Sequence, residues 1–213
     1  CLRVFLTGWL PPSSPVTNPP LIEQYFYWAS KPECQNKPCN IWGSSFGIGI
    51  QASKNSFKKD IPAESSCPYQ NEDQPNNQTQ IPLRNGCYQD GITKVVEYEY
   101  FKSVDELPSF IDRNHPVIGG FILSPAYYET KAFLSVADDT KLGATDSNNG
   151  GHAFNIIGYL ELPKSLHSKE GDRCYIVANS WGYGWGAGGH TCISESWLKK
   201  HFMGSFFAIT AVK

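Results

Sequence analysis

The chain has 213 residues, 40% of them hydrophobic and 18% charged. That suits one sizeable globular core or two small ones and excludes a disordered chain. Eighteen basic against twenty acidic residues leave a formal charge of −2, which gives no electrostatic case for nucleic acid or an anionic membrane as partner.

Residues 1–10 carry Leu2, Val4, Phe5, Leu6, Trp9 and Leu10 at spacings that fit either a helix or a strand. Pro11 and Pro12 end this stretch, and 11–20 reads as an extended linker. No signal-like leader precedes Cys1, so a mature or trimmed protein is expected. Leu21–Ser30 suits a buried helical turn. Gly43 to Lys59 reads as an amphipathic helix with Ser44 or Ser45 as its N-cap. Gly43-Ser44-Ser45 is read as a cap and not as a serine nucleophile, because no strand–turn–helix context surrounds it. Residues 71–85 form a polar surface loop, with an Asn77-Gln78-Thr79 sequon that matters only in a eukaryotic secretory setting.

Tyr88–Phe101 alternates as a strand does. Val104–Asn114 is a short predicted helix, with Ser103 as cap and Glu106 completing a capping box. Val117–Leu123 reads as a buried strand turned by Ser124-Pro125. Residues 126–149 look like loop, and the run from Asp146 to Gly150 feeds His152 and forms one wall of the expected cleft. Trp197–Phe202 is a short turn or helix before a closing strand, Phe206–Val212. A helix-rich first third and a strand-rich remainder predict an α+β fold with two lobes, and a site in the cleft between them. No apolar run approaches the ~18 residues needed to span a bilayer.

Seven cysteines allow three pairs and one free thiol. Cys34 and Cys39 bracket a short loop, Cys67 and Cys87 a polar insertion, and Cys174 and Cys192 flank a turn between neighbouring strands. This pattern fits an oxidising compartment. No paired C-x-x-C or H-x-x-H spacing supports zinc, and no metal or other cofactor is expected.

The chemistry concentrates between Gly150 and Gly189. Two short apolar strands, 151–159 and 175–178, are joined by a polar segment, Glu161–Arg173, that holds Pro163 and reads as a hairpin connection. His152 starts the first strand and Asn179 ends the second. Pairing the strands brings them to one end of the sheet, where an Asn oxygen accepting the imidazole N–H fixes the ring and its tautomer. Gly182, Gly184, Gly186, Gly188 and Gly189, interleaved with Trp181 and Trp185, suggest a tight turn, with Trp181 shielding the His–Asn bond from water.

Gly151-His152-Ala153-Phe154-x-Ile156-x-Gly158-Tyr159, followed by Ala178-Asn179-Ser180-Trp181-Gly182-x-Gly184-Trp185-Gly186, resembles the His and Asn blocks of the papain-like cysteine proteases. Elsewhere the likeness is looser and closer to divergent bacterial members. Leu21–Ser30 resembles the family's second helix, and Ile61–Tyr69 its crossing from the helical half to the sheet half. The resemblance implies a papain-like two-lobe fold. A helical N-terminal lobe (1–85) faces an antiparallel, β-barrel-like C-terminal lobe (86–213), and the active-site cleft lies between them. It implies a Cys–His–Asn hydrolase with His152 as base and Asn179 as orienter. In the family a long helix begins at the nucleophilic cysteine, and its N-terminal dipole and the imidazolium lower the thiol pKa.

Here the chain departs from the family. Leu2-Arg3-Val4-Phe5 follows Cys1 instead of the family's Trp-Ala-Phe, and the family's oxyanion glutamine has no counterpart before Cys1. Two alignments stay open. In one, Cys1 is the nucleophile, favoured by the odd cysteine count and the distance from Cys1 to Leu21. In the other, Cys1 is a structural cysteine paired with Cys39, Val4 stands at the nucleophile position and the protein is inactive. Cys39-Asn40-Ile41-Trp42 resembles a cleft-lining family loop, with Ile41 and Trp42 in place of glycines that pair with bound peptide.

The expected activity is endo- or exopeptidase cleavage through a thioacyl intermediate. Cys1, His152 and Asn179 are the catalytic candidates, and Trp42, Gly150, Gly151 and Trp181 are the substrate-binding candidates. The expected partners are a peptide or protein substrate and a pro-segment or protein inhibitor. The expected state is a monomer in a secreted, periplasmic or lysosome-like compartment. Two rival readings remain: an inactive papain-like domain that binds a peptide or partner protein, and an amidase or acyltransferase for small substrates.

Overall fold

A computed structural model describes residues 23–32, 44–54, 61–63, 65–66, 87, 91, 93–141 and 151–212. Cys1, Trp42 and Gly150 lie outside the described residues, as do the predicted linker at 11–20, the loop at 71–85 and Cys34, Cys39 and Cys67. Contacts divide the chain into two compact units. One spans Glu99–Ala208, and the other joins the described residues before Glu99 to those from Ile209 onward.

In the second of these, helices α1 (Glu23–Ala29) and α2 (Phe46–Lys54) pack together. They bury Tyr25, Phe26 and Ala29 of α1 and Ile50 and Ala52 of α2. The approach is close at Gly49, where an added Cβ would lie 2.7 Å from the Phe26 ring. The α2 N-terminus is where the sequence places its cap: the Ser45 hydroxyl accepts from the Ile48 N–H at 3.4 Å, and its carbonyl accepts from Gly49 N–H at 3.1 Å.

The Glu99–Ala208 unit is built on a sheet, of which the first strand's residues before Glu99 and the last strand's residues after Ala208 belong to the other unit. Strands β1 (Val95–Phe101), β2 (Val117–Ile122), β3 (Phe133–Leu134), β4 (Gly151–Glu161), β5 (Arg173–Ala178), β6 (His190–Ser194) and β7 (Phe206–Val212) lie in the order β1-β7-β2-β4-β5-β6-β3. The β2–β4, β2–β7, β4–β5 and β5–β6 pairs are antiparallel, and β3 pairs with β6 in parallel. The predicted β4–β5 hairpin therefore forms, with Asn155 opposite Ala178 and a short helix, α6 (His167–Glu170), inside its connection. The predicted closing strand occupies the residues expected of it.

Between β1 and β2, a 3-10 turn (Val104–Glu106) leads into α3 (Leu107–Ile111). The predicted capping box is present, since Ser103 Oγ accepts from Asp105 N–H at 3.1 Å and Glu106 Oε1 from Ser103 N–H at 3.3 Å. Ser103→Ala should lower the unfolding free energy by about 1 kcal/mol, read as a shifted urea midpoint with unchanged slope.

The sequence reading of 126–149 as loop needs correction. It holds α4 (Pro125–Glu129), β3 and α5 (Val136–Lys141). Ser124 in extended geometry followed by Pro at the first helical position is a helix start, and that signal was in the sequence. The N-terminus of α5 is satisfied from far along the chain: buried Glu170 accepts from the N–H groups of Val136 (2.9 Å) and Ala137 (3.3 Å) and from the Ser194 hydroxyl (2.7 Å).

The core of this unit is aromatic. Phe121 stacks on Phe154 with centroids 4.3 Å apart, and Tyr127, Trp197 and Phe206 surround them. Strand alternation puts His152, Phe154 and Ile156 on one face of β4. His152 thus ends a row of core-facing residues, opposite Phe121 of β2.

Candidate active site

His152 and Asn179 meet as the sequence predicts. The atom of Asn179 that faces the imidazole Nε2 at 2.8 Å also faces the backbone N–H of Ser180 at 2.8 Å. A backbone N–H can only donate, so that atom is the Asn oxygen. The imidazole Nε2 must then carry the proton it gives to Asn179 Oδ1. Nδ1 is left with the free lone pair, so it is the basic atom.

Both residues are held from several sides. The Asn179 N–H donates to the Gly189 carbonyl at 3.0 Å, and Gly189 N–H donates to Trp185 at 2.8 Å. These bonds close the glycine-rich loop onto the end of β5. Gly186 adopts φ +60°, and a Cβ there would collide with the His190 carbonyl, so glycine is required. The Cys174–Cys192 disulfide, predicted from the flanking positions, joins β5 to β6 with Cα atoms 5.4 Å apart and ties off the segment that carries Asn179. Cys87 is also disulfide-bonded.

Trp181 covers the pair, its ring centroid 4.9 Å from the imidazole. Tyr127 of α4, which sequence reading missed, packs its ring edge-on to both His152 (6.0 Å) and Trp181 (5.4 Å). The Trp185 indole N–H donates to the Tyr127 carbonyl at 3.1 Å and anchors the loop to α4. Burial pulls the imidazole of His152 below its ordinary pKa, and the bond to Asn179 acts in the opposite direction. Gly151 opens β4 beside this ring, next to the side chain of Met203.

A second polar cluster lies outside this site. Asp139 of α5 is buried and accepts from His201 Nε2 (2.6 Å), Trp197 Nε1 (3.0 Å) and Lys200 Nζ (3.1 Å), all on α7 (Glu195–His201). The cluster braces α5 against α7.

Among the described residues, no helix is long and apolar enough to cross a membrane. Residues 32–203 match the model of the papain family cysteine proteases, a span that holds His152, Asn179 and Trp181 and begins after Cys1. No curated protein sequence matches the chain. Solved structures share the fold at low identity. Xylellain, a cysteine protease from Xylella fastidiosa, has a TM-score of 0.68 and 15% identity over 98% of this chain and 75% of its own. The clostridial cysteine protease Cwp84 has a TM-score of 0.65 and 18% identity over 91% of this chain. Bromelain from Ananas comosus, in complex with the E64 inhibitor, has a TM-score of 0.56 and 16% identity over 91% of this chain and 79% of its own. The chain spans about half the length of Cwp84, at 47%. The chain belongs to the papain family of cysteine proteases.

Proposed function

We propose that this chain hydrolyses peptide bonds through a Cys–His–Asn site. The observation that carries the proposal is the single Asn179 oxygen shared by Ser180 N–H and His152 Nε2, which leaves Nδ1 as an oriented base. The cost of the arrangement points the same way: Asn179 Nδ2 is buried and makes no hydrogen bond among the described residues, which folding alone would not favour. Cys1 is the proposed nucleophile. Its thiolate attacks the peptide carbonyl, and His152 as imidazolium gives its Nδ1 proton to the departing amine. The thioacyl enzyme is then cleared by a water whose proton returns to Nδ1, while the thiolate leaves. The substrate is a peptide or protein. The Cys174–Cys192 bond and the bonded Cys87 support a secreted, periplasmic or lysosome-like setting.

One observation favours a second reading. The family match starts at residue 32 and leaves Cys1 outside it. If Cys1 is a structural cysteine and Val4 stands at the nucleophile position, the domain retains the His–Asn pair without a nucleophilic sulfur and binds peptide without cutting it.

Labelling with iodoacetamide at pH 6, with an epoxide inhibitor in parallel, followed by peptide mapping, separates the two. Modification of Cys1 that is lost in His152→Ala supports the hydrolase. An unreactive Cys1 found disulfide-linked to Cys39 overturns that assignment in favour of the binding domain.

A further inference from the structure

A ladder of exposed rings leads outward from His152. Trp181 is 40% exposed, and Tyr128, at 53%, stacks on it with centroids 5.3 Å apart and planes 19° from parallel. Tyr128 sits near the end of α4. With Lys131, Gly184, Trp185 and Gly186 it lines a groove of about 680 Å³. The groove is held in shape on both sides. Trp185 is pinned to α4 through the Tyr127 carbonyl, and the Thr130 hydroxyl after α4 donates to the Phe133 carbonyl at 3.2 Å. The Gly184 wall is open, because an added Cβ there meets nothing within 4 Å. Neighbouring exposed aromatic rings beside a catalytic pair mark a binding surface more than a solvated one.

We propose that Tyr128 is a specificity-determining residue that receives a neutral aromatic side chain from the leaving-group segment of the peptide. The inference rests on the peptidase reading above. In that reaction His152 hands its proton to the departing amine, so the amine lies within hydrogen-bond reach of the imidazole. The chain that continues from the amine leaves from the imidazole's side of the scissile bond. The exposed aromatic surface that begins at the imidazole is Trp181, continued by Tyr128 and the groove. Glu129 and Lys131 both line that groove and offset each other. The recognition surface is therefore ring faces and glycine backbone, which select an aromatic group over a charged one.

The test uses the full chain and two readouts. The first compares kcat/KM for pairs of internally quenched peptides that carry Phe or Ala at each of the three positions after the scissile bond. Wild type and Tyr128→Phe should favour Phe roughly 5-fold at one position. In Tyr128→Ala the ratio should fall to within about 2-fold. The second titrates Phe-Gly-amide and Ala-Gly-amide against the indole N–H signals of the tryptophans. Only the Phe compound should shift Trp181 and Trp185, and Tyr128→Ala should abolish the difference. A Phe preference that survives in Tyr128→Ala, or equal binding of both amides, overturns the proposal and leaves the peptidase reading standing. Selective binding of Phe-Gly-amide through Tyr128, with no peptide cleaved, supports the subsite and overturns the peptidase reading instead.

Discussion

His152→Ala should lower kcat on a fluorogenic peptide amide roughly 100- to 10,000-fold, the range for losing a positioned general acid–base. Asn179→Ala should cost less, because the base remains and only its orientation and tautomer are lost. The state of His152 can be followed by titration. Burial disfavours the charged imidazole, so His152 on its own protonates below its ordinary value. A thiolate beside it acts in the opposite sense and raises it. Alkylating the nucleophile removes that negative charge, so the His152 titration followed by NMR should move to lower pH on alkylation. Asn179→Ala should move it down as well, since the bond from Nε2 favours the charged ring. No movement on alkylation would mean that no thiolate stands beside His152, and the inactive-domain reading would take over. Unchanged thermal unfolding of His152→Ala shows that the loss is chemical.

The largest effect on stability should come from Asp139. Its burial alone pushes the carboxyl up, but hydrogen bonds from His201, Ser124, Lys200 and Trp197 outweigh that and hold it far below the usual carboxylate range. Asp139→Ala leaves the buried His201 and the Trp197 N–H facing an empty space. Breaking a buried charge pair from one side in this way costs about 3–5 kcal/mol. Asp139→Asn keeps an acceptor and the shape, so it should cost less. The pH dependence follows from the direction of the shift. The stability that ionised Asp139 contributes is fully present above the unfolded carboxyl pKa of about 3.9 and is lost as pH falls toward the folded value. The gap between wild type and Asp139→Asn in urea unfolding should therefore be constant near neutrality and shrink below about pH 4. A gap that widens on acidification would reject the ion-pair account. Activity near neutral pH should be barely altered in Asp139→Asn, because none of its partners, Ser124 and the three α7 residues, belongs to the His152–Asn179 pair.

The residues 151–159 and 175–186 carried most of the site in the sequence itself. Apolar alternation with glycine and polar punctuation is a local property, so the hairpin, the His152–Asn179 pair, the tight Gly-rich turn and the Cys174–Cys192 bridge could be read without coordinates. The capping box at Ser103 and Glu106 and the closing strand at Phe206–Val212 were legible for the same reason. The tertiary structure decided what depends on partners distant in the chain. Asp139 and His201 are 62 residues apart, and nothing near Asp139 announces a buried carboxylate. Glu170 caps a helix 34 residues before it. Tyr127 and Tyr128 looked like loop because α4 is a single turn, too short to show a hydrophobic period. Their place beside Trp181 comes from the Gly-rich loop folding back on α4. Which nitrogen of His152 keeps its free lone pair was equally invisible in one dimension, because it depends on one backbone N–H pointing at one oxygen.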